Sequence, residues 1–202
     1  MKKHNIFIVF LFLFSSAIYS QTPEALLKAG LGFDSTGNYD LALKKIDKAL
    51  HLKPDYAEAF SARGMVKLKK QDHEGAMKDF NHAIELKPDY AEAYYNRGIL
   101  KNDLEDSRGA IQDLNKAIEL NPNYLQAYNF RGLVRGRMGD HGGEIEDYTK
   151  AISIKPNYAE AFHNRGHAKI LAGDKNGACL DFSKAGESGY FKSYDDIKEN
   201  CK

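Results

Sequence analysis

The stretch Pro88–Gly98 reads P-D-Y-A-E-A-Y-Y-N-R-G, and three closely similar copies of it occur along the chain. They begin at Pro54, Pro122 and Pro156, so that 34 residues separate each proline from the next. A period between about 20 and 50 residues indicates a repeat architecture, in which each copy is one structural unit. We therefore divide the chain into five repeats, which cover residues 23–56, 57–90, 91–124, 125–158 and 159–192.

Small and large residues recur at fixed positions of the repeat, counted from 1 to 34 with the proline at position 32. Position 8 is glycine in every repeat: Gly30, Gly64, Gly98, Gly132 and Gly166. Position 24 is large and apolar: Ile46, Phe80, Leu114, Tyr148 and Phe182. Positions 4, 8 and 11 share one face of a first helix, and positions 20, 24 and 27 share one face of a second helix. The spacing therefore predicts an antiparallel helix pair in each repeat.

Polar residues at the ends of these helices predict their caps. Position 16 precedes the second helix and offers a side-chain oxygen for its free N–H groups; it holds Asn38, Asp72, Asp106, Asp140 and Asp174. Position 33 holds an acid or amide, and a second acid or amide follows three residues later, as Glu58 follows Asp55. This spacing predicts a capping box at the start of the next first helix.

Glu144 departs from the pattern at position 20, where the other repeats have alanine. A buried carboxylate without a partner is costly. We therefore expect a loosened helix pair in the fourth repeat, or a Glu144 side chain turned outward.

The pattern of Gly at position 8, Ala at 20 and 27, a large apolar residue at 24 and Pro at 32 resembles the tetratricopeptide repeat (TPR) family. The resemblance covers residues 23–192 in five aligned copies. It implies an all-α, right-handed superhelical solenoid of five helix-turn-helix units, whose concave face is formed by the first helices and binds a peptide or protein. Residues 193–202 predict a C-terminal capping helix, which a solenoid needs to cover its last apolar face.

Residues 1–20 predict a secretory signal peptide, with Lys2 and Lys3 before the apolar run Ile6–Phe14 and cleavage after Ser20. The apolar segment is shorter than the roughly 20 residues that span a bilayer, so we expect no membrane insertion after cleavage. The protein is then exported, either to the periplasm or outside the cell. The net charge of +1 gives no indication of a nucleic-acid partner.

Cys179 and Cys201 are the only cysteines and lie eleven residues to either side of Tyr190. Tyr190 is beside the turn between the last second helix and the capping helix. Residues equally far from such a turn face each other in an antiparallel hairpin, and an exported protein can form disulfides. We predict a Cys179–Cys201 disulfide, with two buried thiols as the alternative.

Arginine at position 7 and aspartate at position 23 occur together in repeats two to five. The residues are Arg63, Arg97, Arg131 and Arg165 with Asp79, Asp113, Asp147 and Asp181. Both positions are equally far from the turn of the hairpin, so we favour structural ion pairs within each repeat. The alternatives are a basic stripe that binds an anionic ligand, and pairing of position 23 with position 7 of the following repeat.

The resemblance places a peptide-binding groove on the first helices, lined by positions 2, 5, 6, 9, 12 and 13. The candidate groove residues are Leu27, Leu31, Met65, Tyr95, Asn96, Ile99, Asn129, Phe130, Leu133, His163, Asn164 and His167. They mix apolar, aromatic and amide side chains. Some of them could instead pack between first helices.

Glu160, His163 and His167 could share one helical face, as zinc ligands do. No second carboxylate or cysteine joins them at helical spacing, so we expect no metal and no other cofactor. The sequence contains no nucleophile–base arrangement or phosphate loop, and we expect no enzymatic activity. We favour a monomeric scaffold for a protein or peptide partner. The alternative is a structural subunit of a cell-envelope assembly.

Overall fold

The structure, a computed structural model, describes residues 22–201, which form eleven α-helices and no strand. The helices are α1 (Pro23–Ser35), α2 (Tyr39–Leu52), α3 (Ala57–Lys69), α4 (His73–Leu86), α5 (Ala91–Asp103), α6 (Ser107–Leu120), α7 (Leu125–Arg137), α8 (His141–Ile154), α9 (Ala159–Leu171), α10 (Lys175–Glu187) and α11 (Ser193–Asn200). The predicted all-α class is therefore confirmed. The predicted signal peptide lies outside the described residues.

The chain forms two compact units, with the boundary inside α5. The first unit ends at Asn96 and contains α1 to α4 with the start of α5. The second unit begins at Arg97 and contains the rest of α5 and the helices up to α11. In both units, a first helix and the second helix that follows it pack against each other as one hairpin.

The glycine at position 8 allows the two helices of a hairpin to approach closely. A Cβ atom added to Gly64 would lie 2.6 Å from the ring of Phe80, and one added to Gly166 would lie 2.5 Å from the ring of Phe182. Both rings are fully buried. The ring at position 24 therefore fills the space that the missing side chain leaves, which is why these two positions recur together.

Four of the five predicted caps of the second helices are present. Asp72, Asp106, Asp140 and Asp174 each accept a hydrogen bond of 2.9 Å from the backbone N–H three residues later. That residue is glycine each time, and a Cβ there would lie 2.0–2.3 Å from the capping carboxylate. Asn38 makes no such bond, and the prediction is wrong there. Leu41 occupies the corresponding position, where its side chain leaves less room for a cap.

The capping boxes predicted for the first helices are wrong where their caps are described. The helices after the first, third and fourth repeats begin one residue later than predicted, with Tyr56, Tyr124 and Tyr158 as N-caps that make no side-chain cap bond. The acidic residue instead contacts a neighbouring side chain: Lys87 Nζ lies 2.8 Å from Glu58 Oε1. A capping box depends on the residue at which the helix starts, and these helices start one residue later than the capping box requires.

The alternative of a Glu144 side chain turned outward is wrong. Glu144 is 9% exposed, and its Oε2 lies 3.0 Å from Nδ1 of His141. Its carboxyl group fills the space beside Gly136, where an added Cβ would lie 2.5 Å from the Glu144 Cδ atom. Because Gly136 has no side chain, it leaves the space that the Glu144 side chain occupies.

Candidate functional site

The candidate binding surface consists of the first-helix residues at position 9 and their neighbours. Leu31 is 47% exposed and Leu133 is 37% exposed, although both are large and apolar. Met65 and Ile99 occupy the same position of their repeats and are half-buried. Leu31 and Met65 belong to the first unit, and Ile99 and Leu133 belong to the second. Each unit therefore carries accessible apolar side chains at the position that the sequence indicated.

Three of the predicted groove residues have protein partners and little accessible surface. Leu27 belongs to the hydrophobic core around α1 and α2. Asn96 is 4% exposed and donates a hydrogen bond of 3.0 Å to the Ser61 hydroxyl. His163 is 6% exposed and lies 3.0 Å from the Ser193 hydroxyl. These side chains support the packing between successive repeats, so the accessible part of the predicted surface consists of the other nine residues.

The first helices of the second unit also carry amide and aromatic side chains at the predicted groove positions. Asn129, Phe130 and Asn164 are half-buried, and His167 is exposed. The Oδ1 atom of Asn129 is buried and accepts no hydrogen bond. Tyr95, in the first unit, is half-buried as well. An accessible amide side chain can both donate and accept hydrogen bonds, which apolar residues cannot do.

The structure places arginine and aspartate of one repeat against each other, as the sequence favoured. In the second repeat, Arg63 Nε lies 2.9 Å from Asp79 Oδ2 and Arg63 Nη2 lies 2.7 Å from Asp79 Oδ1. The same two-bond geometry joins Arg97 to Asp113, Arg131 to Asp147 and Arg165 to Asp181. The hydrogen bond with Asp79 raises the pKa of Arg63 above its usual value.

A second cation at position 11 contacts each of these aspartates, and the sequence reasoning missed it. Lys67 lies 2.8 Å from Asp79, and Arg135 lies 3.0 Å from Asp147. Lys101 and Lys169 occupy the same place in repeats three and five. The signal was present, because position 11 is basic wherever position 23 is aspartate. Each buried carboxylate is therefore held by two cations.

The arginines at position 7 also connect neighbouring repeats within a unit. Arg63 Nη1 lies 2.8 Å from Asp47, Arg131 Nη1 lies 2.6 Å from Asn115, and Arg165 Nη1 lies 2.9 Å from Thr149. Each acceptor stands on the second helix of the preceding repeat. These guanidinium groups are therefore bound by protein atoms on two sides, which argues against a basic stripe for an anionic ligand.

The end of the second unit is covered by α11 and held by a covalent bond. Cys179 in α10 and Cys201 directly after α11 form the predicted disulfide, with their Cα atoms 5.8 Å apart. The predicted bond is therefore confirmed, and the described chain has no free cysteine.

A carboxylate does join the two histidines of α9, against the sequence expectation. Asp196, in α11, lies 3.4 Å from Nδ1 of His163 and 3.3 Å from Nε2 of His167. Helical spacing within α9 could not reveal it, because Asp196 stands on another helix, 33 residues after His163 and 29 after His167. Glu160, the acid that the spacing had indicated, is exposed and lies 3.3 Å from the hydroxyl of Tyr158.

Repeated helix hairpins with glycine at their closest approach define a helical-repeat protein, and comparison with known proteins identifies the family. A TPR repeat profile matches residues 66–104, and tetratricopeptide repeat profiles match residues 91–124 and 125–158. Among curated proteins no match was found.

Solved structures extend the similarity to most of the chain. A crystal structure of the MamA protein is 30% identical, with 87% of this chain and 96% of that one covered and a TM-score of 0.69. The chain belongs to the tetratricopeptide repeat family. YrrB, a TPR protein, is 23% identical over 92% of this chain and 97% of its own, with a TM-score of 0.67. PilF of Pseudomonas aeruginosa is 21% identical over 83% of this chain and 76% of its own, with a TM-score of 0.78. The last two show the fold alone.

Among residues 22–201, no helix has both the length and the apolar character that crossing a bilayer requires.

Proposed function

We propose that this protein is a non-enzymatic scaffold that binds a peptide or protein segment on its first-helix surfaces. The observation that carries the proposal is the exposure of Leu31 and Leu133 at the same position of two repeats. An apolar side chain that the fold leaves in water stabilises a complex when a partner covers it. YrrB, described as having an unusual peptide-binding site, has the same fold and supports this use of it.

The chemistry of this surface favours a partner segment with apolar anchor residues. Leu133 supplies apolar contact area, and the half-buried Asn129 supplies an amide group beside it in the sequence of the same helix. The arginines at position 7 are engaged by aspartates, so they do not form a basic patch for an acidic segment. We expect an exported monomer with no nucleic-acid partner, as the sequence indicates.

The test uses a peptide displayed on phage and selected against the protein without its predicted signal peptide. We expect Leu133→Asp or Leu31→Asp to reduce the affinity for the selected peptide at least tenfold, because a charge replaces an apolar side chain that contacts it. A tenfold loss corresponds to about 1.4 kcal/mol of binding free energy. Leu180→Asp is the matched control, since Leu180 is 70% exposed but stands on the second helix of its repeat.

The result that contradicts the proposal is equally clear. Peptides that bind both first-helix variants as tightly as the unchanged protein would show that these surfaces do not bind. Circular dichroism and the melting temperature check that each variant is folded. The spectrum should not change, and the melting temperature should move by no more than a few degrees, because both leucines are exposed.

A second candidate function is a structural subunit of an envelope assembly. Leu171, Leu180 and Phe191 near the C-terminal end are 66%, 70% and 74% exposed, more than any position-9 residue. A permanent partner could cover them. Under this alternative Leu180→Asp, and not Leu133→Asp, abolishes copurification of the partner from crosslinked native envelopes.

A further inference from the structure

Three metal-ligating side chains meet where side chains of α11 contact α9. His163 and His167 are one helical turn apart on α9, and Asp196 approaches them from α11. The Asp196 carboxylate places one oxygen 3.4 Å from Nδ1 of His163 and the other 3.3 Å from Nε2 of His167. One candidate donor atom from each residue lies within 4.8 Å of the other two.

A second observation shows that this cluster is incomplete as protein alone. Asp196 is 9% exposed, and its buried Oδ2 atom accepts no hydrogen bond. A buried carboxylate oxygen without a partner is costly. The atom faces Nδ1 of His163, whose other neighbour is the Ser193 hydroxyl at 3.0 Å. A bound cation would supply the interaction that Oδ2 lacks.

We propose that His163, His167 and Asp196 bind a divalent transition-metal ion of the zinc type. Imidazole nitrogen and carboxylate oxygen are common zinc ligands, with metal–ligand distances of about 2.0–2.2 Å. Such distances place tetrahedral ligands about 3.3 Å from one another. The two nitrogen–oxygen distances, 3.4 Å to Oδ2 and 3.3 Å to Oδ1, are close to this value but involve different oxygens of Asp196. Rotation of the three side chains is therefore needed to bring one donor atom of each residue around a single ion. Water or a partner's side chain takes the fourth position.

Aromatic rings form the walls of the site. The Tyr190 ring centroid lies 4.4 Å from that of His163, and the Phe182 ring centroid lies 5.0 Å from that of His167.

The disulfide fixes the third ligand. Cys179–Cys201 joins α10 to the end of α11, the helix that carries Asp196. The bond also removes both thiols as competing ligands. Zinc binding is therefore measured on oxidised protein, in which the three proposed ligands are the only cluster of this kind among the described residues.

The experiment is calorimetric titration of zinc chloride into the oxidised protein, without its predicted signal peptide and without an affinity tag. We expect one zinc ion per chain and a higher melting temperature with zinc, because a ligand that binds the folded state stabilises it. His167→Ala and Asp196→Asn should each weaken binding at least tenfold. His51→Ala is the matched control, since His51 is exposed on α2 and belongs to the other unit.

His163 is buried, so its removal could unfold the end of the chain and would not be informative. His167 is exposed, and Asp196→Asn preserves shape, so these two variants keep the test decisive once circular dichroism shows native helix content. Absence of zinc binding would overturn the proposal, as would affinity retained in both variants. A loss of affinity in His51→Ala equal to that in His167→Ala would also overturn it.

Discussion

Replacing Glu144 by alanine should destabilise the protein by about 1 kcal/mol. The substitution removes the contact of 3.0 Å with His141, and a hydrogen bond contributes about 0.5–1.5 kcal/mol. It also empties the space beside Gly136 that the Glu144 side chain fills, at a cost of about 0.8 kcal/mol for each buried methylene. The higher helix propensity of alanine and the lost cost of burying a carboxylate offset part of this.

Gly136→Ala supplies the second arm of the test. Alanine is more favourable than glycine in a helix by about 1 kcal/mol, but its Cβ would lie 2.5 Å from the Glu144 Cδ atom. In the unchanged background the Glu144 side chain must move away from His141, so the gain is cancelled. In the Glu144→Ala background nothing opposes the new methyl group. The double variant should therefore be as stable as the unchanged protein, with a coupling energy of about 1–2 kcal/mol.

The assay is urea denaturation followed by circular dichroism, with Glu146→Ala as an exposed control on the same helix. The control should change the free energy of unfolding by less than about 0.5 kcal/mol. Single-variant effects that sum to the double-variant effect within about 0.5 kcal/mol would refute the reasoning, because independent sites behave additively. A stabilised Glu144→Ala variant would show that the desolvation cost of the carboxylate dominates.

Three further outcomes follow from the same structure. Asp147→Asn should cost about 3 kcal/mol in urea denaturation, because Asp147 is 2% exposed and neutralises Arg131 and Arg135; a loss below 1 kcal/mol would contradict this account. Glu105→Gly should raise the urea midpoint, equivalent to about 0.5–1 kcal/mol, since Glu105 has a φ of 63°, and an unchanged midpoint would mean that this backbone is not strained. Cys201→Ser should lower stability by about 3 kcal/mol, and reductant should then lower the melting temperature of the unchanged protein but not of the variant.

The repeating part of the structure could be predicted because every copy repeats the same evidence. The 34-residue period placed the glycines at the hairpin contacts and the arginines opposite the aspartates. Both are contacts between positions equally far from a turn, so the geometry of one hairpin determines them. Among the second helices, the predicted cap failed only where the local sequence differs, at Asn38, whose helix lacks the glycine that makes room for a cap.

What the sequence by itself determined is the helix pairs, the arginine–aspartate pairs within them and the cysteine pair beside the last turn. Only the tertiary structure decided the contacts of residues that follow the last repeat or depart from the repeat pattern. Asp196 follows the last repeat, where the 34-residue period no longer predicts which side chains meet. The packing of α11 against α10 brings Asp196 to His163 and His167. The burial of Glu144 depends on Gly136, eight residues earlier on another helix. Spacing along a helix determines which residues share a face, but packing between helices determines which side chains from different faces fill one space.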